Sequence, residues 1–113
     1  QKSITEAPKD NEGEGEAFSP SDLLSTSLAS CMLTIMGIEA RRQNIEIKGV
    51  EAKMQKIMTA SPRRVCEIQI NFSFPKSYKQ EQKKLLEQAA LNCPVAQSLS
   101  TSLKQTISFN YPS

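Results

Sequence analysis

Apolar residues along this chain change their period several times, and each change marks the start of a new element. Between residues 23 and 38, Leu23, Leu24, Leu28, Cys31, Met32, Ile35 and Ile38 recur at the three-and-four spacing of one helix face. Ser19-Pro20-Ser21-Asp22 precedes them as a helix start. Ser19 is placed as N-cap and Pro20 at the first helical position, where a missing N–H costs nothing. Asp22 can return a capping bond and complement the positive end of the dipole. The predicted helix runs to about Arg42, roughly 34 Å at the standard rise. Ser25, Thr26, Ser27, Ala29 and Ser30 are small and would let another helix or a partner subunit approach closely.

After a break at Gln43-Asn44 the period drops to two. Ile45 and Ile47 alternate, Gly49 shifts the phase, and Val50, Ala52, Met54 and Met58 continue on the other parity. This predicts a strand with a bulge near Gly49. Ala60-Ser61-Pro62-Arg63 reads as a turn. Cys66, Ile68, Ile70, Phe72 and Phe74, alternating with Glu67, Gln69, Asn71 and Ser73, then give a strand with one dry and one wet face, as in an antiparallel hairpin. A capping box over Ser77–Gln80 opens a helix with Tyr78, Leu85, Leu86 and Ala89 on its stripe. Asn92-Cys93-Pro94 interrupts that helix and starts another, carrying Val95, Leu99 and Leu103. Ile107, Phe109 and Tyr111 form a last alternating strand. The order is loop, long helix, two strands, two helices, strand: a single α+β domain over residues 1–113 with an antiparallel sheet.

Composition narrows the function classes. Residues 6–16, with Glu6, Glu12, Glu14, Glu16, two glycines and Pro8, belong to an N-terminal surface loop over residues 1–18. The chain opens on Gln1, as a segment of a longer parent chain would. Net charge is +2 from 14 basic and 12 acidic side chains that are interspersed, and with few aromatic residues this gives no nucleic-acid footprint. The strongly apolar run Leu28–Ile38 falls well short of the roughly 20 residues needed to span a bilayer. Three cysteines and no secretory leader pattern predict a reduced, cytoplasmic protein. At 113 residues a core shared with a second copy would help, so a homodimer is expected.

With no histidine in the chain, Cys-His and Ser-His nucleophile pairs are excluded. The three cysteines lack paired metal-ligand spacing, so no metal site is predicted. Chemistry then rests on the thiols. Cys66 lies on the dry face of the clearest strand and reads as structural. Cys93 precedes Pro94 at a helix start, where amide donors and the dipole favour thiolate, so local physics makes it the most acidic thiol. Cys31, more than two turns into a helix, needs a nearby cation to act as a nucleophile.

Ser19-Pro20-Ser21-Asp22-Leu23-Leu24, then Leu28-Ala29-Ser30-Cys31, the hairpin, and Asn92-Cys93-Pro94-Val95-Ala96 together resemble the OsmC/Ohr family of osmotically inducible and organic hydroperoxide resistance proteins. The resemblance spans residues 5 to 112. It implies an intertwined homodimer with long central helices packed against antiparallel sheets. It also implies a peroxidase that reduces small organic hydroperoxides without a cofactor. In that scheme Cys31 is the peroxidatic thiol and Cys93 the resolving thiol, and an external dithiol regenerates them. Ser21, Asp22 and Pro94 are the candidate binding positions.

Two departures from the family pattern stand out. Hydroperoxide reductases of the family carry a glutamate ten positions before the first cysteine, where this chain has Ser21. Their activating arginine comes from an early strand, whereas the first arginine here is Arg41. An alternative therefore stands beside the peroxidase: a non-catalytic dimer that binds a small apolar or thiol ligand in the same cleft.

Overall fold

A computed structural model describes residues 20–60 and 62–112. The N-terminal loop over 1–18 and the Ser19 cap lie outside the described residues. The elements run α1 (Pro20–Arg42), β1 (Glu51–Ala60), β2 (Arg63–Ser73), α2 (Gln80–Leu91), α3 (Pro94–Ser98) and β3 (Lys104–Asn110).

The long helix has the predicted extent, and its C-terminus is set by local chemistry. Asn44 takes a left-handed conformation (φ 58°), the Ile45 N–H reaches back to the Ala40 carbonyl at 2.8 Å, and the Asn44 N–H bonds the Arg41 carbonyl. This is the Schellman arrangement, completed by an apolar contact, since Ile45 and Ala40 are both buried. The closure also explains why Ile45 and Ile47 do not begin a strand. Gly49 adopts φ 101° in a turn closed by the Val50 N–H on the Ile47 carbonyl, and β1 starts only at Glu51. The bulge predicted near Gly49 is instead on β2. Ile57 pairs with Glu67 and Met58 with Val65, so Cys66 is the extra residue with no register partner.

The sheet has the order β1-β2-β3. β1 and β2 form the expected antiparallel hairpin, but β3 lies parallel to β2, from Glu67↔Lys104 to Ser73↔Asn110. The sheet is therefore mixed, a correction to the all-antiparallel expectation. The reason is topological: between β2 and β3 the chain makes a helical crossover through α2 and α3, which returns it to the same end of the sheet.

One face of β2 (Ile68, Ile70 and Phe72) is buried on the core side, as is Phe74 just beyond its end. Phe72 stacks on Phe109, its register partner, with centroids 5.6 Å apart, and Phe74 stacks on Tyr111 at 4.7 Å. The buried row of α1 is Leu28, Ala29, Met32, Met36 and Ala40, rotated from the predicted stripe so that Leu23 and Ile38 are exposed. α1 is apolar on several sides, and periodicity alone could not choose among them. Contrary to the sequence expectation, this 23-residue helix is long and apolar enough to cross a bilayer. Here its apolar residues build the core between α2 and the sheet. At the start of α2 the cap is Lys79 rather than Ser77, with its N–H donating to Gln82 Oε1 at 3.0 Å.

Phe72, fully buried and stacked, is the central side chain of this core. Phe72→Ala should cost about 3–5 kcal/mol in urea unfolding. Asn71→Ala, on the wet face of the same strand, should stay within about 0.5 kcal/mol.

Candidate functional site

The thiols are positioned by two helices of different kinds. Cys93 is the N-cap of α3, with extended backbone (φ −66°, ψ 150°) and Pro94 at the first helical position. Its Sγ accepts the Ala96 N–H at 3.3 Å. Cys93 is completely buried. Cys31, in the middle of α1, is half-buried and packs against the same core cluster as Val95 and Leu99 of the α3 region.

The two thiols meet, although 62 positions separate them in sequence. Burial pushes the Cys93 thiol up, and this outweighs the amide donors of Ala96 and Val95 that pull it down. The nearby Cys31 raises it further. The sequence-based expectation that this helix start favours the Cys93 thiolate is thus overturned. A helix start does supply donors, but here it is sealed from water, and desolvation wins.

Cys66 shares the parity of the dry face of β2 but is only half-buried at the bulge, and it is not part of the core cluster. Its reading as a core cysteine is corrected accordingly. Among the described residues no three histidine, cysteine or carboxylate side chains converge.

Ser21 and Asp22 hold a residue that the sequence reading did not single out. Lys56 of β1 makes an ion pair with Asp22 Oδ1 at 2.7 Å, and its Nζ donates to Ser21 Oγ at 2.6 Å. Asp22 is therefore more than a capping carboxylate. The available signal was parity: Ala52, Met54, Lys56 and Met58 share one face of β1, and a lysine among them needs a partner. The ion pair does not join the thiols. Nine residues along a helix turn it by about half a revolution, so α1 presents Asp22 toward β1 and Cys31 toward α3.

Between α1 and β1 lies an open groove of about 970 Å3, lined by Asp22, Ser30, Leu33, Ala52, Met54 and Lys56 among others, with neither Cys31 nor Cys93 on its wall. Thiol pair and groove are separate features, not one cleft. Pro94 is exposed and acts through the backbone, fixing the first turn below the Cys93 sulfur.

Comparison with known proteins adds the following. A family of the description OsmC-like protein matches residues 13–108. Among solved structures, the chain is similar to a protein from Psychrobacter arcticus 273-4 named for osmotic stress induction and detoxification response. Identity is 50%, coverage is 93% of this chain and 77% of that one, and the TM-score is 0.84. The fold is shared with an organic hydroperoxide resistance protein OsmC from Legionella pneumophila (19% identity, 93% and 78% coverage, TM-score 0.72). It is also shared with the organic hydroperoxide resistance protein OhrB of Bacillus subtilis (17%, 82% and 70%, 0.64). No functionally curated protein matches.

Because Cys93 is sealed and its ionisation is pushed up, iodoacetamide at pH 7 should label Cys31 and Cys66 well before Cys93, as read by peptide mass. Equal rates at Cys93 and at free cysteine would contradict this. The sign for stability follows. A raised pKa in the folded state favours the protonated thiol, so this contribution is complete below the ordinary thiol range and is lost as pH rises through the folded value. Tyr78 and Tyr111, both raised mainly by burial, act in the same direction at higher pH. The urea midpoint should therefore fall on the alkaline side, and Cys93→Ser should remove the thiol part of that fall.

Proposed function

Since the chain belongs to the OsmC-like protein family, we propose that it is a thiol-dependent peroxidase that reduces organic hydroperoxides through Cys31 and Cys93. The observation that supports this reading is the nearness of a half-buried thiol, Cys31, to a fully buried one, Cys93. In the first step Cys31 sulfur attacks the outer peroxide oxygen, the O–O bond breaks, and the alcohol leaves with a proton, giving a sulfenic acid. Cys93 sulfur then displaces the hydroxyl from Cys31. Its proton leaves with that hydroxyl as water, and an intramolecular disulfide remains. An external dithiol returns both thiols and is itself oxidised to a disulfide. Keeping Cys93 protonated until that moment suits a resolving role, because it waits for the sulfenic acid rather than competing for peroxide.

We further propose a homodimer working in the reduced cytoplasm, where the three cysteines stay free. Leu23 and Ile38 of α1 and Met54 and Met58 of β1 are large apolar side chains left in solvent by a single copy, and a second copy would cover them. The groove beside Lys56 and Asp22 favours one alternative, a non-catalytic dimer that holds a small apolar ligand away from the thiols.

One equivalent of cumene hydroperoxide added to reduced protein should consume the Cys31 and Cys93 thiols within minutes, read by intact mass and free-thiol titration. Cys31→Ser should abolish turnover. Cys93→Ser should permit one turnover and leave a sulfenic acid that dimedone traps. Retention of both thiols in the unsubstituted protein would sink the peroxidase in favour of ligand binding. Light scattering should give twice the 12.5 kDa chain mass, and Ile38→Glu should shift the protein toward monomer.

A further inference from the structure

Gln105 stands where the sheet pattern calls for an apolar residue. Its register partner on β2, Ile68, is completely buried, and Ile107 and Phe109, on the same face of β3, pack against the core. A carboxamide in such a place needs partners for its polar atoms. Gln105 Nε2 donates to the Ala96 carbonyl at 3.1 Å. That carbonyl belongs to a five-residue helix that ends at Ser98, so no helical N–H four residues on is there to meet it. The N–H of the same residue goes to Cys93 Sγ at 3.3 Å. Both polar backbone groups of Ala96 are thus committed, one to the thiol and the other to Gln105.

We infer that Gln105 is the positioning residue for the resolving thiol: by holding Ala96 it fixes the first turn of α3, and with it the direction in which the Cys93 sulfur faces Cys31. The inference rests on the two-thiol reading above. Attack on a sulfenic acid needs the two sulfurs aligned, and a five-residue helix has too few bonds of its own to keep that alignment. The Gln105 bond ties α3 to the sheet directly. Peroxide attack, which occurs at Cys31 on α1, does not pass through this bond.

The test separates the two steps. Gln105→Met keeps length and volume but loses the donor. With one equivalent of cumene hydroperoxide, this variant should form the Cys31 sulfenic acid at the rate of the unsubstituted protein but close the disulfide about tenfold more slowly. Dimedone-labelled Cys31 should therefore accumulate. Slowing of both steps together in the folded variant would mark a purely structural loss and overturn the inference, as would equal closure rates. If Gln105→Met does not fold, Gln105→Glu decides. Its carboxylate cannot donate at pH 7, so closure there should again lag about tenfold with sulfenic acid formation unchanged. Closure at the unsubstituted rate overturns the assignment. Closure driven by diamide, which accepts the two electrons from the thiols, tests Gln105 without the peroxidase reading. A tenfold lag in Gln105→Met supports the role even if peroxide proves not to be the substrate, and equal rates sink it.

Discussion

Leu28, Met32 and Met36 of α1 lose all exposure to solvent between α2 and the sheet, and that burial sets the rotation of the helix about its own axis. Full burial of each such side chain stabilises by about 1.5–3 kcal/mol, so turning the helix by one residue's worth would forfeit more than any polar contact on its surface could return. Two functional features follow from this single setting. Cys31, adjacent to Met32, is carried toward the α3 region, while Asp22 and Ser21 are carried toward β1 and Lys56. Cys31 and the ion pair lie on opposite faces of one packed cylinder.

At α3 a different balance operates. A helix start offers a sulfur its amide hydrogens and the positive end of a dipole, effects worth some tenths of a kcal/mol to about one. Complete burial of the same sulfur opposes its ionisation more strongly, and the Cys31 charge beside it adds to the opposition. The result is a thiol that caps a helix as an acceptor while holding its proton. Sulfur suits both roles because it is a weak donor and a weak acceptor at once. The geometry that makes it a good cap also keeps it from being a free nucleophile in the resting protein.

Much of the architecture was legible because local rules and the global fold agree. The extent of α1, the β1–β2 hairpin, the break at Asn92-Cys93-Pro94 and the last strand all follow from period and caps. The misses have physical causes. The all-round apolar character of α1 left its buried face ambiguous, and the core chose Ala29, Met36 and Ala40 over Leu23 and Ile38. The direction of β3 depends on how α2 and α3 cross the sheet, which no short window contains. The state of Cys93 depends on burial supplied from distant segments, so a local reading of its helix start gave the wrong sign. Lys56 and Gln105 were overlooked although each breaks the alternation of its strand. In both cases the polar intruder is held by a specific partner across the fold.

The parallel pairing of β3 also orders events in time. The hairpin and α1 contain nothing beyond residue 73, whereas the β2–β3 ladder joins residues such as Glu67 and Thr106, 39 positions apart and 2.6 Å from oxygen to oxygen. Contacts of long sequence separation close late, and α3 acquires its tie to the sheet only when β3 arrives with Gln105. On a ribosome, Cys31 and Cys66 therefore emerge and can meet an oxidant before Cys93 has a place to sit. Until the final strand arrives, α3 lacks its tie to the sheet and the Cys93 sulfur has no fixed seat.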